Sequence, residues 1–193
     1  MKNIYLLTTL LLFCLFGCKT IKPVAETKPE ITRVPAQLSN SAAPVNFSDQ
    51  ATWLLGYLNP AQLSREPYSS WYIKGYDDYQ YNSDAVNKLL EISKDGLSVK
   101  VVLGTWCPDS RREVPRFVRV LDLWKFPLSM VTFIGVDNAK LSPVGGYDKL
   151  DIHRVPTFIV YKNNIEAGRI IENPVTSLEQ DMVNILTGMN KNK

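Results

Sequence analysis

Histidine and cysteine are almost missing from this chain: one His and 3 Cys stand among 193 residues. So few ligands exclude a His/Cys metal cluster, and they exclude the dense disulfide framework that staples small exported domains. An excess of one charge is missing too. The 22 Lys and Arg against 19 Asp and Glu leave a formal +3, or +2 once Lys2 is removed. That balance predicts no nucleic-acid or acidic partner. With 10 Gly and 12 Pro the chain is neither collagen-like nor disordered throughout. Its longest apolar run, residues 4–16, falls short of the roughly 20 residues that span a bilayer. What is present is an average globular composition, 45% hydrophobic and 21% charged, at a length that suits one domain with something extra. Any chemistry must come from very few residues.

Residues 1–17 have the parts of an export signal: Lys2, the apolar run, then Leu15-Phe16-Gly17 directly before Cys18. The tetrapeptide ending in Cys18 resembles the lipobox of bacterial lipoproteins. That resemblance implies that Cys14 is discarded with the leader and that Cys18 is lipidated and becomes the mature N-terminus. The protein would then face the periplasm from the bacterial cell envelope, touching membrane through its lipid anchor only. Each buried acyl CH₂ contributes about 0.8 kcal/mol, so two or three chains hold firmly. Lys19 in place of an aspartate points to the outer rather than the inner membrane. The other reading is an ordinary secretory signal cut elsewhere, with Cys18 a bystander. Residues 18–46 are rich in Pro, Thr, Ser, Lys and Glu. They read as a flexible tether with a reach of about 30 Å.

The body is expected over residues 47–190, divided into an extension at 47–96 and a core at 97–190. Ser48 and Asp49 are plausible caps for a short helix carrying Trp53, Leu54 and Leu58. A dense aromatic set follows: Tyr68, Trp71, Tyr72, Tyr76, Tyr79 and Tyr81. These rings suit either a peptide- or sugar-facing platform or the packing of one domain edge with hydroxyls in water; packing is the expectation. Ser83 is read as the cap of a helix with Val86, Leu89 and Leu90 on one face. Residues 97–103 and 129–136 read as buried strands, and residues 113–124 as a helix with Val114, Phe117, Val118, Leu121 and Trp124 inward. Strands at 157–161 and 165–171 flank Asn163-Asn164, residues that accept the positive φ of a tight hairpin. Ser177 with Gln180 resembles a capping box opening a last helix with Leu178, Met182, Ile185 and Leu186 inward. The order predicts an α/β sandwich: a central mixed β-sheet flanked by helices, with an N-terminal helical and aromatic extension.

Gly104-Thr105-Trp106-Cys107-Pro108-Asp109-Ser110 lies between the first strand and the long helix. Pro115 follows the cysteine by eight residues, and Val155-Pro156-Thr157 precedes the hairpin. On these points and on the order of its elements, the stretch 97–188 resembles the thioredoxin superfamily. The resemblance implies a thioredoxin-like sandwich, Cys107 as nucleophile with Ser110 and Pro156 in the catalytic set, and substrate contacts at Trp106, Pro108, Val155 and Thr157. It also implies a cis Pro156 that sets the Val155 backbone beside the sulfur, where it would hold an extended substrate strand. No cofactor and no metal is implied. A cysteine at a helix N-terminus faces unpaired N–H groups and the positive end of the dipole, which favours thiolate. Pro108 suits the first helical position. Arg111 and Arg112 add positive potential and Asp109 opposes it.

The departures carry as much meaning. Ser110 stands where a second cysteine belongs, and Val101 where some thioredoxins bury an acid. The mature chain holds one thiol, so an internal dithiol cycle is closed to it. Ser110 is left either donating a hydrogen bond to the thiolate or capping the helix. His153, three residues before Pro156, is expected on the surface rather than paired with Cys107. Two functions compete. One is a monothiol redox protein whose Cys107 forms mixed disulfides with envelope protein thiols or disulfides, or with a small-molecule thiol. The other is a non-catalytic thioredoxin-fold binding module of the envelope. Iron–sulfur binding, as in monothiol glutaredoxins, is disfavoured by Pro108, Asp109 and export.

Overall fold

The computed structural model describes residues 44–188; the expected leader, Cys18 and most of the tether lie outside them. Strands β1 (Gly56–Leu58), β2 (Leu97–Leu103), β3 (Val131–Gly135), β4 (Thr157–Lys162) and β5 (Ile165–Ile171) form one sheet in the order β1-β3-β2-β4-β5. Only β2 and β3 are parallel, and every other neighbouring pair is antiparallel. A parallel pair needs a crossover, and helix α3 (Pro108–Leu123) supplies it. Helices α1 (Ser69–Asp77), α2 (Ser83–Glu91) and α4 (Leu178–Leu186) complete the elements. The chain is thus an α/β sandwich with a mixed five-stranded sheet. None of the described helices is long and apolar enough to cross a membrane.

Alternation along β2 sends Val99, Val101 and Leu103 to one face, where they join Phe133, Phe158 and Val160. Val114, Phe117, Val118 and Leu121 of α3 and Met182 and Ile185 of α4 close over them, with Phe117 stacked on Phe158 at 4.2 Å. The other face carries a smaller cluster: Val102, Ile134, Val136 and Ile159 lie under Val144, Tyr147, Leu150 and Ile152 of the β3–β4 connection. Cys107 and Val155 belong to this second cluster.

The extension departs from expectation. Asp49 does cap, accepting from Ala51 N at 2.9 Å, but only a 3₁₀ turn, Gln50–Thr52, follows. The chain then extends because the Leu54 N–H is taken by Thr105 Oγ1 and Gly56 to Leu58 pair with β3. Long-range pairing overrides a weak helical pattern. The aromatic stretch contains α1 and packs as expected, with Tyr68 and Tyr72 buried. Three of its hydroxyls have protein partners, however. Tyr68 donates to Thr52 O, Tyr76 to Asp122 and Tyr79 to the buried Glu179.

Three smaller corrections concern element ends. Asn82, not Ser83, caps α2, and Leu90 is exposed while Ala85, Val86 and Leu89 face inward. A 3₁₀ turn at Leu128–Met130 occupies the expected start of β3. The long helix opens at Pro108, as its place after the cysteine suggested, and carries Pro115 internally, pressed toward Gly75 of α1, where a Cβ would meet the Pro115 ring at 2.6 Å. Ser177 accepts from Gln180 N, but the Gln180 side chain turns to Asn184, so the capping box is half made. The hairpin turn is as read: Asn163 and Asn164 have φ of 51° and 63°.

Two predictions follow from the packing. A Cβ at Gly135 would lie 2.0 Å from the Leu54 carbonyl oxygen, whereas one at Gly145 would meet nothing within 4 Å. Denaturant unfolding should therefore show Gly135→Ala losing about 3 kcal/mol or more while Gly145→Ala stays near wild type. Burial pushes the phenols of Tyr72 and Tyr147 up to about 12, with Asp122 and Asp137 adding to it, and it raises Tyr79 further. Each phenol holds its proton more tightly folded than unfolded. Their contribution to stability is complete below about pH 10, the unfolded value, and is lost as pH rises through 12. Unfolding midpoints measured across that range should fall together with the appearance of tyrosinate absorbance.

Candidate functional site

β2 ends at Leu103, and α3 opens at Pro108 with Cys107 as its N-cap in extended conformation. The loop between is tight: the Cys107 N–H donates to Gly104 O at 2.9 Å. Gly104 is required because a Cβ there would lie 2.5 Å from the Trp106 indole. Trp106 Nε1 donates to Val136 O at 3.0 Å, and its ring packs on Trp53 at 6.3 Å. Thr105 Oγ1 donates to Thr52 O and accepts from Leu54 N. The extension thus braces the loop from outside.

Cys107 is 7% exposed, and its thiol donates to the Val155 carbonyl at 3.2 Å. The Val155–Pro156 bond is cis. Pro156 O accepts from Glu172 N at 2.7 Å, which ties this turn to the end of β5. The structure therefore brings Trp106, Cys107, Pro108, Val155 and Pro156 to one place, with Pro108 exposed and Trp106 half-exposed.

Ser110, Thr157 and His153 each have a partner of their own. Ser110 is fully buried, and its Oγ accepts from Gly104 N at 3.2 Å. It makes no capping bond to α3 and no hydrogen bond to the sulfur; its oxygen is taken by the N–H that follows β2. Thr157 is 2% exposed, and its hydroxyl donates to Arg154 O at 2.7 Å. His153 is exposed and pairs with Asp151 at 3.0 Å, as expected of a surface residue.

The charges at the helix mouth sort themselves by partner. Arg112 bonds Asp109 at 2.7 Å and Glu113 at 2.7 Å, and it also reaches Asn173. Arg116 shares the buried Glu113 at 3.0 Å. Arg111 instead donates to Thr105 O and Trp106 O and lies over the Phe47 ring. Sequence reasoning saw the positive charge of Arg111 and missed this clamp. The one signal for it was the aromatic residue at 47, without any local pattern to join the two. Among the described residues no group of three or more His, Cys, Asp or Glu could hold a metal ion.

No family model and no curated protein matches the chain. Among solved structures it is similar to a protein of unknown function from Pseudomonas aeruginosa, at 13% identity and a TM-score of 0.50, covering 72% of this chain and 94% of that one. A likeness at that identity concerns the fold alone.

Removing the Ser110 hydroxyl orphans the buried Gly104 N–H, which costs about 1–3 kcal/mol. Ser110→Ala should lower the unfolding free energy by that amount. The alkylation rate of Cys107 in the folded protein should stay essentially unchanged.

Proposed function

We propose that this is an exported, lipid-anchored thioredoxin-like protein that exchanges thiols and disulfides through the single thiol Cys107. The observation that carries the reading is the seat of the sulfur. Cys107 stands at the N-cap position of α3, near the first-turn N–H groups, and its thiol donates to the Val155 carbonyl of a cis Val155–Pro156 bond. That placement agrees with the resemblance drawn from Trp106-Cys107-Pro108 and Val155-Pro156-Thr157.

The chemistry is a pair of displacements. The Cys107 thiolate attacks one sulfur of a client disulfide along the S–S axis. That S–S bond breaks, a bond from Sγ forms, and the second client sulfur leaves as thiolate and takes a proton from water. A client sulfenic acid reacts in the same way, with water as the leaving molecule. Ser110 offers no second sulfur. A low-molecular-weight or protein thiol must therefore attack the mixed disulfide, which returns Cys107 as thiolate and passes the client sulfur to the incoming thiol. Trp106 and Pro108 border the sulfur and would contact the client. The Val155 backbone would bind an extended client strand once the thiol proton has left its carbonyl.

The binding-module reading has one observation in its favour: Cys107 is buried and its thiol is already hydrogen-bonded. An aromatic model disulfide separates the two readings. With the folded full-length chain, peptide mass spectrometry should find the adduct at Cys107, and added low-molecular-weight thiol should release it. Protection of Cys107 until the chain unfolds would sink the exchange reading and leave the binding module.

A further inference from the structure

Away from the sulfur, α1 and α3 wall a cavity of about 410 Å³, within the range of small-molecule sites. Tyr72, Ile73 and Tyr76 line it from α1, and Val118 and Asp122 line it from α3. The 3₁₀ turns Pro60–Gln62 and Leu128–Met130 add Pro60 and Leu128. Asp122 stands roughly 20 Å along the helix from Cys107, at about 1.5 Å per residue, so this is a separate place. The lining is mainly apolar, and part of it is left open: Ile73 is 49% exposed and Leu128 42%.

Its polar groups are unfinished. Tyr72 is 7% exposed, and its hydroxyl enters no hydrogen bond among the described residues, yet that oxygen is not sealed from solvent. The cavity is the open space that its side chain lines. Asp122 accepts from the Tyr76 hydroxyl through Oδ2 at 2.5 Å, which leaves Oδ1 uncommitted. This carboxylate forms no ion pair among the described residues. Arg119 gives its Nη1 to the Tyr76 oxygen instead, at 3.2 Å. A nearly buried phenol and a carboxylate oxygen thus share one apolar cavity, both open to a partner from outside the chain.

The chemistry of that partner follows by comparison. An anion would be repelled by Asp122. A hydrocarbon would cover the phenol and the carboxylate oxygen without pairing either, which is costly. An ammonium answers both, because its N–H groups can donate to Asp122 Oδ1 and to the Tyr72 oxygen while its charge offsets the carboxylate. The unbranched stem of a lysine is too thin to cover Ile73 and Leu128 together; a ring or a branched body is not. We propose that this cavity binds a small primary amine on an aromatic or branched apolar body. The ammonium sits at Asp122 and Tyr72, and the body lies against Pro60, Ile73, Val118 and Leu128. The proposal is independent of the chemistry of Cys107.

The test is an NMR titration of the nitrogen-labelled full-length chain with phenethylamine, and with phenylethanol and phenylpropionate as neutral and anionic counterparts. Phenethylamine should saturate, shifting amides of α1 and α3 around Tyr72 and Asp122, with a Kd about tenfold or more below that of the alcohol. Phenylpropionate should not bind. Asp122→Asn keeps an acceptor for Tyr76 and should erase the preference for amine over alcohol. Tyr72→Phe removes a hydroxyl that no protein group uses, so it should fold normally and weaken amine binding several-fold; it decides the matter if Asp122→Asn does not fold. Acetyl-lysine amide should bind more weakly than phenethylamine, and equal binding would assign the site to a partner's lysine and overturn the small-molecule reading. The proposal also fails if no compound saturates, if the carboxylate binds as well as the amine, or if neither variant changes the Kd for the amine.

Discussion

The first turn of α3 is pressed against the end of the sheet, so each polar group around it must be answered inside the protein. This requirement organises the site. The loop before the helix is enclosed between two layers, with Gly104 and Thr105 buried. Its partners come from four directions: Ser110 for the Gly104 N–H, Arg111 for the Thr105 and Trp106 carbonyls, Thr52 and Leu54 for the Thr105 hydroxyl, and Val136 for the indole. An unmet group here would cost as much as a misplaced core side chain. A loop so fully answered holds Cys107 in one position.

Legibility in the sequence followed how local each determinant was. β2 and β5 were readable to the residue, because a run of β-branched residues and a two-Asn turn are properties of neighbours in the chain. β1 was not, because its three residues are a strand only where Phe133 to Gly135 lie alongside them. The cap of α2 slipped by one residue, since Asn82 and Ser83 are both competent and only backbone geometry chooses between them. At the site, Trp106, Cys107, Pro108, Val155 and Pro156 came together from two short motifs about fifty residues apart. The partners of the Ser110 and Thr157 hydroxyls were not legible, for a common reason. A hydroxyl beside a reactive group invites a chemical reading, yet both serve backbone groups that only the folded loop leaves in need.

Buried carboxylates do a similar job farther out. Glu179 accepts from Tyr79 and from the Asn82 N–H, fastening the α1–α2 link to α4, and Glu113 gathers Arg112 and Arg116 along α3. Both are almost fully enclosed and both are answered by donors, the condition under which a buried acid is tolerated. The long helix is thereby held from its outer side without a positive charge left over at Arg112 or Arg116.

The two faces of the sheet are unequally roofed. One lies under helices and a large interlocked set of side chains; the other is covered by the β3–β4 connection, whose one regular piece is the short turn Tyr147–Leu150. Folded proteins open in parts, and the part with the fewest enclosed apolar neighbours opens at the smallest free-energy cost. The Cys107 sulfur belongs to that thinner side. An opening of that connection would uncover the sulfur while the main core stays closed. In hydrogen exchange, amides of residues 136–156 would trade with solvent well ahead of those in α3.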